Sequence, residues 1–118
     1  MSLEYQPQTY QLPGVTVEVH QPTGKFHYFA NLEVHGNYPG DGKIAHNVGR
    51  KESLHWLEGE GKLILNNRVH LLNKGLRIVM NDGDQYTLAG EGKAIVFVKD
   101  QLGGTTIIED LSDSNSYW

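Results

Sequence analysis

The chain contains no cysteine, which excludes disulfides, thiolate metal sites and a cysteine nucleophile and leaves the redox compartment open. Long apolar runs are also missing. No stretch approaches the roughly 20 residues of a membrane span, so no membrane partner is expected. The N-terminal MSLEYQPQTYQLPG has neither the basic nor the apolar region of a signal peptide, and a cytoplasmic protein is expected on that ground. Positive charge is sparse and dispersed. The formal net charge is -4, and Arg50-Lys51 is the only adjacent basic pair. Without a concentrated basic surface to displace counterions, nucleic-acid binding is set aside. Local catalytic signatures are missing too. G-x-S-x-G does not occur, and the GDGK and GEGK stretches lack the glycine spacing and following Ser/Thr of a phosphate loop.

What remains is a chain of 118 residues, enough for one domain with its own core and no need of a structural metal. It is read as a single domain over 1–118, with its core at about 15–110, an N-terminal arm and a polar C-terminal tail. VTVEVH (15–20) alternates apolar and polar residues as a half-buried strand does. Strand-like runs follow at 26–34, 53–58, 62–67, 68–72, 76–80, 85–88, 94–99 and 105–110, none of them containing proline. The intervening GEG, NKG, NDGD, AGEG and QLGG read as turns, where glycine supplies positive φ and Asn and Asp tolerate it. Short strands with turns between them and no helical periodicity predict an all-β fold, an antiparallel sandwich or barrel.

The centre of the chain carries a glycine-anchored frame. Gly40 is followed by five residues and His46, then Val48, then three residues and Glu52, then six residues and Gly59, where GEGKLILNN follows. Further on, LRIVMNDGD ends in Gly83-Asp84 and a second strand AIVFV follows. Over roughly residues 30–100 this order resembles the cupin superfamily. Its first motif reads Gly, five residues, His-x-His, three or four residues, Glu, six residues, Gly. Val48 stands at the second histidine of that motif. In the second motif Ala89, Glu91 and Ala94 stand where proline, glycine and histidine are expected.

The resemblance implies an antiparallel double-sheet β-barrel, or jelly roll, with a ligand pocket between its sheets. Metal-using cupins hold iron, manganese, nickel or zinc with three histidines and a glutamate. Carried over, only His46 and Glu52 remain, because Val48 and Ala94 cannot ligate. Two protein ligands make a poor divalent site, so no metal or other cofactor is expected. His35 or His55 could substitute, although residue 55 has opposite parity to Glu52 on a strand and should face away.

Two functions are open. In the first, a metal-poor pocket holds a small polar or carbohydrate-like ligand between His46, Glu52, Trp56 and Tyr86. Trp56 shares parity with Glu52 and serves either as core or as an aromatic wall. Tyr28 and Tyr38 offer further hydroxyls or simply pack. In the second, the protein is a sugar isomerase or epimerase in which His46 and Glu52 move protons, or another cupin enzyme with a rearranged metal site. A carboxylate such as Glu52 needs a partner if it is buried, and His46 is the expected one. His20, His27 and His70 read as sheet residues without a chemical role. A homodimer is expected, with strand 15–20 extending a sheet between subunits.

Overall fold

The computed structural model describes residues 8–20 and 27–110. The expected C-terminal tail, the first seven residues and the expected start of a strand at residue 26 lie outside these. The described residues form seven strands: β1 (Gln8–Leu12), β2 (Val15–His20), β3 (His27–Tyr38), β4 (Lys43–Leu65), β5 (Arg68–Leu72), β6 (Arg77–Met80) and β7 (Gln85–Asp110). All pairings are antiparallel, in the order β1-β2-β3-β7-β4-β5, with β6 added to β4. Ala45 and His46 at the start of β4 also pair with Tyr86 and Gln85 at the start of β7. That second contact curls the sheet over on itself into a barrel. Among the described residues there is no helix, and so none long and apolar enough to cross a membrane.

Two long strands replace several short ones. The expected turns GEG, AGEG and QLGG lie inside β4 and β7; the glycines of GEG and AGEG serve close approach and not reversal. Gly59 faces Gly92 and Gly61 faces Gly90 across the β4–β7 ladder. A Cβ on Gly92 would lie 2.2 Å from the Glu58 carbonyl oxygen and 2.5 Å from the Trp56 ring. The indole fills the space that side chains there would take, and its Nε1–H donates to the Gly59 carbonyl at 2.8 Å. The reversal after β4 is made instead by Asn66 and Asn67, both at positive φ, as a two-residue hairpin whose twist matches its strands requires. NKG and NDGD do form turns.

The start of the chain also differs from expectation. Strand 15–20 is not an edge available for sheet extension, because β1 covers it from Leu12↔Val15 to Gln8↔Val19. The edge is β1 itself, a strand whose residues are all exposed and which sequence reading left within the N-terminal arm. The core runs along the barrel interior through Val34, Leu54, Trp56, Leu63, Leu88 and Val96.

Candidate functional site

The interior is not filled. A cavity of about 450 Å³ opens between β1–β2 on one side and β4 and the far end of β7 on the other. Much of its wall is aliphatic, with Val15, Val17, Leu32, Leu54, Met80 and Val98 among the contributors. Its polar groups are Tyr38, Arg50, Glu52, Tyr86 and Thr106, joined near the mouth by Gln8, Tyr10 and Tyr28. A largely apolar concavity with a few convergent polar groups is the usual form of a small-molecule site.

The geometry of β4 decides which side chains reach this cavity. From Arg50 onward the alternation sends residues 50, 52, 54 and 56 toward the interior, and Glu52, Leu54 and Trp56 are buried. Before it, Ala45 and Asn47 are the buried residues and Val48 is exposed. Gly49, at φ +70°, makes the change. The register with β7 jumps between Val48↔Thr105 and Arg50↔Asp100, a bulge that reverses which parity faces inward. The bulge is held from below. Fully buried Asn47 donates through Nδ2 to the carbonyls of Arg50 (2.9 Å) and Asn81 (3.1 Å), and the Gly49 N–H donates to Asp82 Oδ1 at 2.8 Å.

The expectation that His46 faces the pocket and partners Glu52 is therefore corrected. His46 lies on the other parity, outside the cavity lining, and its Nε2 meets Glu109 Oε2 at 2.7 Å. Glu52 does face the cavity, but its neighbour is Arg50, with Nη1 3.9 Å from Oε1. Tyr86 lines the cavity beside Glu52, while Trp56, at 1% exposure, lies in the core beneath the glycine ladder and outside the lining. His55 faces the outer side, against Ser53 and the edge of Phe97, and His35 contacts Thr16.

Burial governs the electrostatics of the cluster. It raises the Glu52 carboxyl above its ordinary 4.5, with the Arg50 charge opposing. Tyr86 is pushed well above 10, first by burial and then by the negative charge of Glu52. Tyr38 is raised by burial as well, although its contact with the Tyr86 hydroxyl works the other way. The two tyrosine rings lie 6.1 Å apart between centroids. A carboxyl whose pKa is raised by burial, beside two phenols also raised, gives hydrogen-bonding groups and a proton-exchanging group on one wall.

The ligand set of metal-using cupins does not fit here. His46 points away, Val48 and Ala94 offer no donor, and among the described residues no three His, Cys, Asp or Glu side chains converge. Sequence reading missed Arg50 and Thr106 as cavity residues. The parity of Arg50 with Glu52 was a usable signal; Thr106 reaches the cavity through the long second half of β7, which nothing local announces.

The chain matches no protein-family model and no curated protein. Among solved structures it is similar to Pac13 from Streptomyces, a nucleoside dehydratase, at 12% identity over 98% of this chain and 97% of that one, with a TM-score of 0.75. Pac13 structures with uridine include variants with a tyrosine replaced by phenylalanine or a histidine by glutamine. A predicted oxalate decarboxylase from Thermotoga maritima is similar at 18% identity over 82% and 94% of the two chains, with a TM-score of 0.58. Salicylate 1,2-dioxygenase from Pseudoaminobacter salicylatoxidans matches at 16% identity over 86% of this chain and 31% of that one, with a TM-score of 0.65. With its antiparallel barrel, the chain shares the fold of these neighbours, a cupin-type β-barrel as the resemblance implied.

Proposed function

We propose that the protein binds a small, partly apolar and hydroxylated molecule, of sugar or nucleoside size, inside the barrel. The observation that carries this reading is the Tyr38–Glu52–Tyr86 cluster on the wall of a partly aliphatic cavity of about 450 Å³, within the size range of small-molecule sites. Glu52 and Tyr86 supply the polar contacts, and the aliphatic wall from β2 and β7 takes the ligand's less polar face. Trp56 supports the site from the core and does not touch the ligand. Ligand-observed NMR with a panel of free sugars, nucleosides and hydroxy acids tests the proposal. Hits that bind the wild type and are lost in Tyr86→Phe and Glu52→Gln support it. Hits that persist in both variants contradict it.

A specific observation favours an enzymatic second reading. Burial raises the Glu52 carboxyl above its ordinary 4.5 beside Tyr86, an arrangement suited to proton transfer at a carbon next to a carbonyl, as in isomerisation, epimerisation or dehydration. Pac13, of like architecture, is a dehydratase. In this reading Glu52 is the base and Tyr86 the acid, and His46 has no part. Incubating the NMR hits in D₂O distinguishes the two: deuterium incorporation or loss of water marks an enzyme, and an unchanged spectrum marks a binder.

Homodimerisation belongs to the same proposal, with β1 as the pairing edge. Light scattering showing a monomer at high concentration would oppose it.

A further inference from the structure

Of the described residues that line the cavity, Arg50 is the only cation and Glu52 the only acid. Arg50 makes a loose ion pair with Glu52, without a hydrogen bond between them. The closest approach is the 3.9 Å between Nη1 and Oε1, beyond hydrogen-bond range. No forked, two-point pairing is made. Of the five N–H groups of the guanidinium, the one with a protein acceptor among the described residues is on Nη1, which donates to Thr106 Oγ1 at 3.3 Å. Nε is buried and has no acceptor among the described residues.

A buried donor without an acceptor is costly, and here its position is built. The Asn47 amide holds the Arg50 carbonyl, and Asp82 holds the Gly49 N–H. The bulge thus turns an arginine toward the cavity, with Thr106 as the one hydrogen-bond acceptor of its guanidinium among the described residues. The planar donors of a guanidinium match a planar pair of oxygens.

We infer that the molecule held in the cavity carries a carboxylate, received by the Arg50 guanidinium, with its remaining body against the aliphatic wall. The inference rests on the cavity being a ligand site, as proposed above. A single carboxylate adds less negative charge beside Glu52 than a phosphate dianion would. Burial raises the Glu52 carboxyl above its ordinary 4.5, with the Arg50 charge opposing, a direction that eases the approach of a carboxylate.

The test is isothermal titration calorimetry with two matched probe series. Benzoate, 3-phenylpropionate and cyclohexanecarboxylate are compared with their primary carboxamides, on wild type, Arg50→Gln and Arg50→Lys. The expected result is at least ~10-fold tighter binding of the acids by wild type, the scale of a charge-assisted pair. That preference should vanish in Arg50→Gln and survive in part in Arg50→Lys. Thermal melts of each variant establish that it is folded, and Arg50→Lys serves as the test should Arg50→Gln not fold. Carboxamides that bind as tightly as the acids, or an acid preference unchanged in Arg50→Gln, would overturn the inference and leave the cavity reading standing. If neither series binds and the sugar, nucleoside and hydroxy-acid panel also gives no hit, both fall.

Discussion

The two halves of β4 run in one strand, yet they turn opposite sets of positions inward. After Arg50 the strand is regular. Glu52, Leu54 and Trp56 project inward, and Trp56 seals against the glycines of β7. Before it the inward residues are Ala45 and Asn47, and the histidine that completes the familiar spacing points out. One glycine at positive φ separates the halves. Spacing along a chain therefore becomes spacing in a site only where no bulge intervenes.

Breaking the regular half should have the largest effect. Trp56→Ala removes a buried indole from beneath the Gly59–Gly92 pair, with an expected loss of about 3–5 kcal/mol, measurable by urea denaturation. Breaking the anchor of the bulge comes next. Asn47→Ala strips donors from the carbonyls of Arg50 and Asn81 and should cost about 2 kcal/mol. It should also weaken binding of any cavity ligand, because Arg50 is no longer held.

Glu52→Gln sharpens the comparison through pH. Burial raises the folded-state pKa of Glu52 above 4.5. Between 4.5 and that raised midpoint the folded chain keeps a proton that the unfolded chain has lost, so this residue's contribution to stability falls as pH rises through the window. Melting temperatures at pH 4 and pH 7 should therefore move in the variant's favour at the higher pH. A gap independent of pH would show that Glu52 is not buried. The smallest effect belongs to the outward half. His46→Ala removes a half-exposed pair with Glu109, at a cost within about 1 kcal/mol by denaturation, and should leave cavity binding unchanged.

Much of the architecture was legible in the residues. Alternation in 15–20, the turn chemistry of NKG and NDGD, and the Gly40–Gly59 frame each point to an antiparallel barrel. The lengths of β4 and β7 were not legible, because glycine used for close packing against Trp56 looks like glycine used to turn a chain. Half of the site was readable: Glu52 and Tyr86 follow from parity and from the Gly83-Asp84 turn. His46 was misplaced for the reason given by Gly49, whose N–H is held by Asp82 from the turn after β6, while Asn47 on the same strand ties the Arg50 carbonyl to that turn. Arg50 was overlooked because its role follows only once that bulge is known.

The account's central claim is that the functional wall is Glu52 with Arg50 and the buried tyrosines, and that His46 lies apart from it. A ¹³C-carboxyl NMR titration of glutamate-labelled protein, assigned with Glu52→Gln and read together with the Tyr86 and His46 ring resonances, tests this most directly. The account predicts one glutamate titrating above the others, assigned to Glu52, whose ionisation shifts the Tyr86 ring and leaves His46 unmoved. A Glu52 that titrates with the exposed glutamates, or one whose ionisation shifts His46 and not Tyr86, would contradict it.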